Sequence, residues 1–138
     1  MNRQLLRTKV QATMRQLIAE RGYASPLDVL LSMEKLSAKN VDDWRSGKIP
    51  YLERVIQMNL PQLNVLLAEM KEVARDMDLT PSLTAYRRRT RSGRLPLRFS
   101  KSGAPHLEER YATHFLSRKL RGTKALAKSN PVPPATQR

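Results

Sequence analysis

The feature that most constrains this chain is the segment from Tyr86 to Lys101, YRRRTRSGRLPLRFSK, which places six arginines and a lysine around two short apolar runs. A guanidinium group cannot shed its proton, so arginines at this density repel one another unless an anion lies among them. The two runs, 83–88 and 95–100, are short enough for strands and flank a turn at 90–93. The segment therefore predicts a basic β-hairpin whose expected partner is a phosphate backbone.

The charge of the chain is concentrated in its C-terminal part. Residues 1–80 contain 12 lysines and arginines and 10 acids, a net charge of +2, whereas residues 81–138 contain 14 and 2, a net charge of +12. Such an asymmetry is typical of nucleic-acid-binding proteins, with anionic membranes and acidic proteins as the other partners that it allows. We expect nucleic acid, with DNA favoured over RNA, and no membrane.

Composition limits the domain count and the compartment. A chain of 138 residues with 40% apolar content can bury one core. It has no cysteine, which excludes disulfides, thiolate catalysis and cysteine-based zinc sites. Because no apolar run approaches the roughly 18 residues of a spanning helix, we expect a soluble cytoplasmic protein of a bacterium or phage. Mitochondrial targeting is the minor alternative, since residues 1–19 carry four basic residues on an amphipathic pattern.

Periodicity and capping signals predict a helical N-terminal part. Apolar residues at helical spacing indicate a first helix from Asn2 to about Arg21, and Ser25 before Pro26 is typical of the start of a second. Three more helices are expected at 38–46, 50–59 and 61–77. The apolar stripe of the 61–77 helix is typical of a core helix. A homodimer in which this stripe packs against a second copy of the chain is the alternative.

The C-terminal part is predicted to contain the hairpin, a last helix and a tail. Leu107, Tyr111, His114 and Phe115 follow helical spacing, and we expect His114 to be a core residue on that helix. The end of the chain, SNPVPPATQR, is rich in proline, and residues 119–138 are predicted to form a basic, flexible tail. The predicted fold is mainly α, of the α+β class, with five or six helices and one hairpin in a single domain of residues 1–118.

The stretch from Leu31 to Ile56 predicts a short helix, a turn, a second helix, a glycine exit and a further helix. The residues that match this pattern are Leu31, Leu36, Ser37, Val41, Trp44, Arg45, Ser46, Gly47, Lys48, Pro50, Leu52, Val55 and Ile56. The stretch resembles the helix-turn-helix of Cro-like phage-repressor proteins. The resemblance implies a DNA-binding regulator in which the 38–46 helix is the recognition helix. On that helix and its exit, the residues expected to approach base edges or the adjoining backbone are Lys39, Asn40, Arg45 and Lys48.

The hairpin supplies the candidate phosphate contacts. These are Arg87, Arg88, Arg89, Arg91, Arg94, Arg98 and Lys101. A hairpin beside a helix-turn-helix would form one continuous surface, as the wing of a winged-helix protein does.

Nothing in the sequence indicates catalysis. His106 and His114 are eight residues apart, whereas ligands on one helix face need a spacing of three or four. There is no glycine-rich phosphate loop and no nucleophile motif. We therefore expect a non-enzymatic protein without a metal or cofactor.

Two other functions stay open at this stage. One is an RNA-binding or ribosome-associated factor, in which the arginines enter structured RNA. The other is a protein-interaction module that docks a partner through Asp42, Asp43 and the surface around Trp44.

Overall fold

The structure is a computed structural model that describes residues 2–91 and 93–118, without the side chain of Arg89. Five α-helices lie in these residues: α1 (Arg3–Arg21), α2 (Pro26–Ser32), α3 (Ala38–Arg45), α4 (Leu60–Asp76) and α5 (Pro105–Ala112). The strands are β1 (Tyr23–Ala24), β2 (Thr80–Leu83), β3 (Arg87–Thr90), β4 (Gly93–Pro96) and β5 (Thr113–Leu116). The predicted class, mainly α with a smaller β part, is confirmed. The predicted tail at 119–138 lies outside the described residues.

The first two helices begin and end at local signals. The side chain of Asn2 accepts a hydrogen bond from the backbone N–H of Leu5, and Gly22, with φ of 81°, ends α1 by donating to the carbonyl of Ile18. A left-handed φ suits glycine, which has no Cβ to clash. The hydroxyl of Ser25 caps α2 by accepting from the N–H of Asp28. These boundaries were predictable because each depends on residues within one helical turn.

Helix α4 packs along α1 and forms the centre of the core. Its buried apolar side chains are Leu63, Leu66, Leu67, Met70, Val73 and Ala74. From α1 the core receives Leu6, Val10, Met14 and Leu17. Burying one side chain of leucine size stabilises the fold by about 1.5–3 kcal/mol. Because the apolar stripe of α4 is buried inside the chain, the homodimer through residues 61–77 loses its main support.

The predicted helix at 50–59 is wrong: only a 3-10 helix, Leu52–Val55, forms there. The backbone N–H groups of Leu52 and Glu53 donate to the carbonyls of Arg98 and Phe99, at 3.2 and 2.8 Å. These bonds attach the segment to the exit of β4. A contact that is distant in sequence thus replaces local helix formation.

A three-stranded antiparallel sheet, in the order β1-β5-β2, corrects the C-terminal prediction. The last helix ends at Ala112, and His114 lies on β5 rather than on a helix. In the register, Phe115 pairs with Ala24 on one side and with Pro81 on the other. Strand β2 pairs with all of residues 113–116, and β1 pairs with Phe115 and Leu116 from the other side, so this segment is a strand and not a helix.

The hairpin is present, with boundaries that differ from those predicted. Strands β3 and β4 pair in the register Arg88 to Leu95 and Arg89 to Arg94, so they lie closer to the turn than 83–88 and 95–100. Leu83 belongs to the other sheet, where it pairs with Thr113. We call residues 87–96 the basic hairpin.

Candidate nucleic-acid interface

An aromatic cluster attaches the basic hairpin to α3. The rings of Trp44, Tyr86 and Phe99 are mutually in contact, with centroids 5.0 to 5.9 Å apart. Trp44 is fully buried, and its indole Nε1 donates to the carbonyl of Arg98 at 2.7 Å. Buried aromatic pairs contribute about 0.5–1.5 kcal/mol beyond their area. The C-terminal end of α3 and the stem of the hairpin therefore form one packed unit.

Two glutamates fix the backbone where the chain leaves β4. The carboxylate of Glu108 accepts from the N–H groups of Phe99 and Ser100, at 2.9 and 2.7 Å. The carboxylate of Glu53 accepts from the N–H of Lys101 at 2.9 Å and from the hydroxyl of Tyr111 at 2.7 Å. Burial and the bond to Glu53 raise the pKa of the Tyr111 phenol. No local sequence pattern indicates that either glutamate holds this loop.

The stem of the hairpin is anchored to the three-stranded sheet as well. Buried Tyr86 shares a 2.7 Å hydrogen bond with Nε2 of His114, which is also buried. On its other side His114 stacks on the ring of Tyr23, at a centroid distance of 5.5 Å. Burial raises the pKa of the Tyr86 phenol well above its ordinary value. His114 is thus a core residue, as predicted, although its element was wrong.

The arginines around the turn face solvent. Arg87, Arg91 and Arg94 are all exposed. Within the described residues, no carboxylate forms an ion pair with any of the three. Six arginines lie within residues 87–98, and like charges at this density repel one another. These exposed side chains are free to accept an anion.

Arg88 lies on the side of the hairpin that meets α3. It is half-buried, and its guanidinium covers Gly47, where an added Cβ would come within 2.7 Å of Cζ. Gly47 follows the end of α3 and has φ of +86°. A cation next to the C-terminal end of a helix is favoured by the helix dipole. Arg88 therefore links the exit of α3 to β3 and adds positive charge between them.

Two predicted contact residues are engaged within the chain. Arg98 donates to the carbonyls of Ser100 and Lys101, at 2.8 and 2.6 Å, and lies over the ring of Tyr51. Arg45 lies over the ring of Tyr86, with Cζ 5.7 Å from the centroid. Both side chains stabilise the junction of the basic hairpin and α3. Their contribution to ligand binding is the positive charge that they place at this junction.

The outer face of α3 is nearly neutral. Asp43 accepts from Lys39 at 2.9 Å and lies 4.0 Å from the ammonium of Lys48. The hydrogen bond from Lys39 lowers the pKa of Asp43. Asn40 is half-exposed near the start of the helix, and Asp42 is exposed. Trp44 is buried, so its own side chain is not part of the exposed surface beside Asp42 and Asp43.

The structure thus separates the predicted contact residues into groups. The exposed ones are Arg87, Arg91, Arg94, Arg98, Lys101, Lys39 and Lys48. The half-buried ones are Arg88, Arg45 and Asn40. The side chain of Arg89 lies outside the described part. Trp44 brings the exit of α3 and the basic hairpin together, as a continuous surface requires.

Among the described residues there is no group of three or more histidines and acids that could hold a metal ion. No described helix is both long and apolar enough to cross a membrane.

Comparisons with models of known protein families, with curated proteins and with solved structures found no match. Function is therefore inferred from the residues of this chain alone.

Proposed function

We propose that the protein is a non-enzymatic nucleic-acid-binding protein and that its ligand is duplex DNA. The observation that supports this most is the set of exposed arginines at 87, 91 and 94, which have no carboxylate partner within the described residues. Phosphate oxygens satisfy guanidinium groups through charge-assisted hydrogen bonds. A bound phosphate backbone would also relieve the repulsion across the hairpin.

In this proposal the two halves of the surface have different tasks. The basic hairpin contacts the phosphate backbone, which supplies affinity and register. Helix α3, in the helix-turn-helix role that its Cro-like resemblance implies, approaches base edges with Asn40 and Lys39. Because Asp43 already neutralises part of the charge of Lys39 and Lys48, the hairpin contributes most of the affinity. Regulation of transcription is the setting that this combination favours.

Salt dependence tests the proposal directly. If about six phosphates are neutralised, the logarithm of the affinity for duplex DNA falls with the logarithm of the salt concentration at a slope near −5. The informative variant is R87S/R94S, and its matched control is K9S/R15S, which removes two exposed charges from α1. We expect R87S/R94S to make the slope shallower by about 2. The control leaves it unchanged.

Two outcomes would contradict the proposal. One is an affinity that does not change with salt. The other is an equal loss of affinity for duplex DNA in R87S/R94S and K9S/R15S, which would mean that binding depends only on the net charge of the protein. Competition between duplex DNA and structured RNA at fixed salt then decides the polymer, because a preference for RNA would overturn duplex DNA as the ligand while keeping the phosphate contacts.

A further inference from the structure

A second surface is a groove between α4 and the face of the sheet formed by β2 and β5. Its volume is about 530 Å³, within the range of sites that bind small molecules and peptide side chains. Apolar side chains form its floor: Leu67, Met70, Leu79, Pro81 and Phe115. The described residues that line it include none from the basic hairpin.

The rim of the groove is positively charged. Lys71, Arg75 and Arg110 line it together with a single acid, Glu72. Glu72 pairs with Arg75 at 2.5 Å. Within the described residues, neither Lys71 nor Arg110 forms an ion pair. Two uncompensated cations therefore border an apolar floor.

This charge is not a general property of α4. Glu69 is turned toward α1, where its carboxylate accepts from Arg3 and Arg7, and Asp76 pairs with Arg7 on the same side. The helix thus presents two acids, Glu69 and Asp76, to α1, and two cations with one acid to the groove. The groove is lined by three cations, Lys71, Arg75 and Arg110, and one acid, Glu72, and this local excess of positive charge favours an anionic occupant.

We propose that this groove binds an acidic segment of a partner protein. Large apolar side chains of the segment fill the floor, and its carboxylates pair with Lys71 and Arg110. The part of α4 from Leu67 to Arg75 is about 12 Å long, which matches roughly four residues of an extended segment. The chain's own residues 119–138 contain five basic residues and no acid, so they are the wrong occupant electrostatically.

A labelled peptide of suitable chemistry, EELFEELLEE, is the probe for fluorescence anisotropy at low salt. Two matched peptides separate the contributions: one has glutamine in place of every glutamate, and the other has alanine in place of every apolar residue. We expect the acidic apolar peptide to bind, the glutamine peptide to bind about tenfold more weakly, and the alanine peptide to show no binding. Backbone amide shifts should change at Leu67, Met70 and Phe115.

Variants of the protein locate the contact. K71E/R110E should weaken binding of the acidic peptide at least tenfold. K9E/R15E makes the same change of net charge on α1 and should leave the affinity for the peptide unchanged. R87S/R94S should also leave it unchanged, which separates this groove from the nucleic-acid proposal. Circular dichroism establishes that each variant is folded.

Three results would overturn the proposal. The first is the absence of binding by the acidic apolar peptide. The second is binding that R87S/R94S abolishes and K71E/R110E does not, which would place the peptide on the hairpin. The third is binding of phosphatidylglycerol vesicles that K71E/R110E abolishes, with no binding of the peptide. The occupant of the groove would then be a lipid surface.

Discussion

Arginines have opposite surroundings in two regions of this molecule. At the contact of α1 and α4, Arg3 and Arg7 donate to the two oxygens of Glu69, at 2.7 and 3.0 Å, and the Glu69 side chain is only 3% exposed. In the basic hairpin, Arg87 and Arg94 are exposed and have no carboxylate partner among the described residues. The residue type is the same in both places. Its neighbour decides whether it joins two helices or remains available to a ligand.

The hairpin tolerates its charge because other contacts hold it. Trp44 packs on Tyr86 and Phe99, and Glu108 holds the backbone beyond β4. Apolar packing and backbone hydrogen bonds therefore replace ion pairs as the source of order. Substitutions can therefore test the α1–α4 contact and the basic hairpin independently of each other.

The largest effect is expected at the anchor of the hairpin. Trp44→Ala should lower the free energy of unfolding by about 4 kcal/mol, because it removes a fully buried ring and leaves a cavity. Urea denaturation measures the loss. Trp44→Phe is the control, since it keeps one aromatic ring while removing the bond to Arg98 and part of the buried ring volume, and its cost should be smaller, about 2 kcal/mol. A cost below about 1 kcal/mol for Trp44→Ala would show that packing does not hold the hairpin.

The next effect concerns the paired arginines. Glu69→Gln should destabilise the fold by about 2 kcal/mol, because the buried acceptor of two guanidinium groups loses its charge. The loss is moderated by the partial exposure of Arg3 and Arg7, which can bind water instead.

Glu72→Gln is the comparison for that substitution, since it breaks an exposed ion pair with Arg75 on the same helix. It should change stability by less than about 0.5 kcal/mol. Equal effects at positions 69 and 72, measured by thermal unfolding, would mean that burial does not strengthen the ion pairs of Glu69 relative to an exposed ion pair.

The sequence predicted those parts of the fold that depend on neighbours along the chain. The predicted end of α1 near Arg21 and the predicted start of α2 at Ser25 both depend on residues within one helical turn. The stripe of α4 was identifiable because a period of 3.6 residues places its apolar side chains on one face.

The missed elements depend on pairing with distant residues. Strand β5 has the apolar spacing of a helix, and its conformation follows from neighbours at 23–24 and 80–83. The helix expected at 50–59 is shortened by bonds to Arg98 and Phe99. For the candidate site, charge predicted the arginines, whereas the anchors Glu53 and Glu108 carry no local signal.

A smaller effect is expected at Gly47, which lies under the half-buried Arg88. Gly47→Ala should cost about 1 kcal/mol, because alanine is strained at φ of +86°. The new Cβ would also displace the guanidinium of Arg88, which can move because its side chain is flexible. Adding Arg88→Ala removes this contact but not the strain. If Gly47→Ala costs as much in the Arg88→Ala protein as in the unchanged protein, the cost comes from the strained backbone and not from the contact with Arg88.

The smallest effect is the one whose sign distinguishes the two regions. Arg94→Gln should stabilise the fold by about 0.5 kcal/mol, because it removes one of the six like charges within residues 87–98. Arg3→Gln should destabilise it by about 0.5 kcal/mol, because it removes an exposed partner of Glu69. Both changes in the free energy of unfolding should become smaller as salt is added. If the two substitutions change the free energy of unfolding in the same direction, the hairpin arginines are not held against their mutual repulsion, and the argument for an anionic ligand loses its basis.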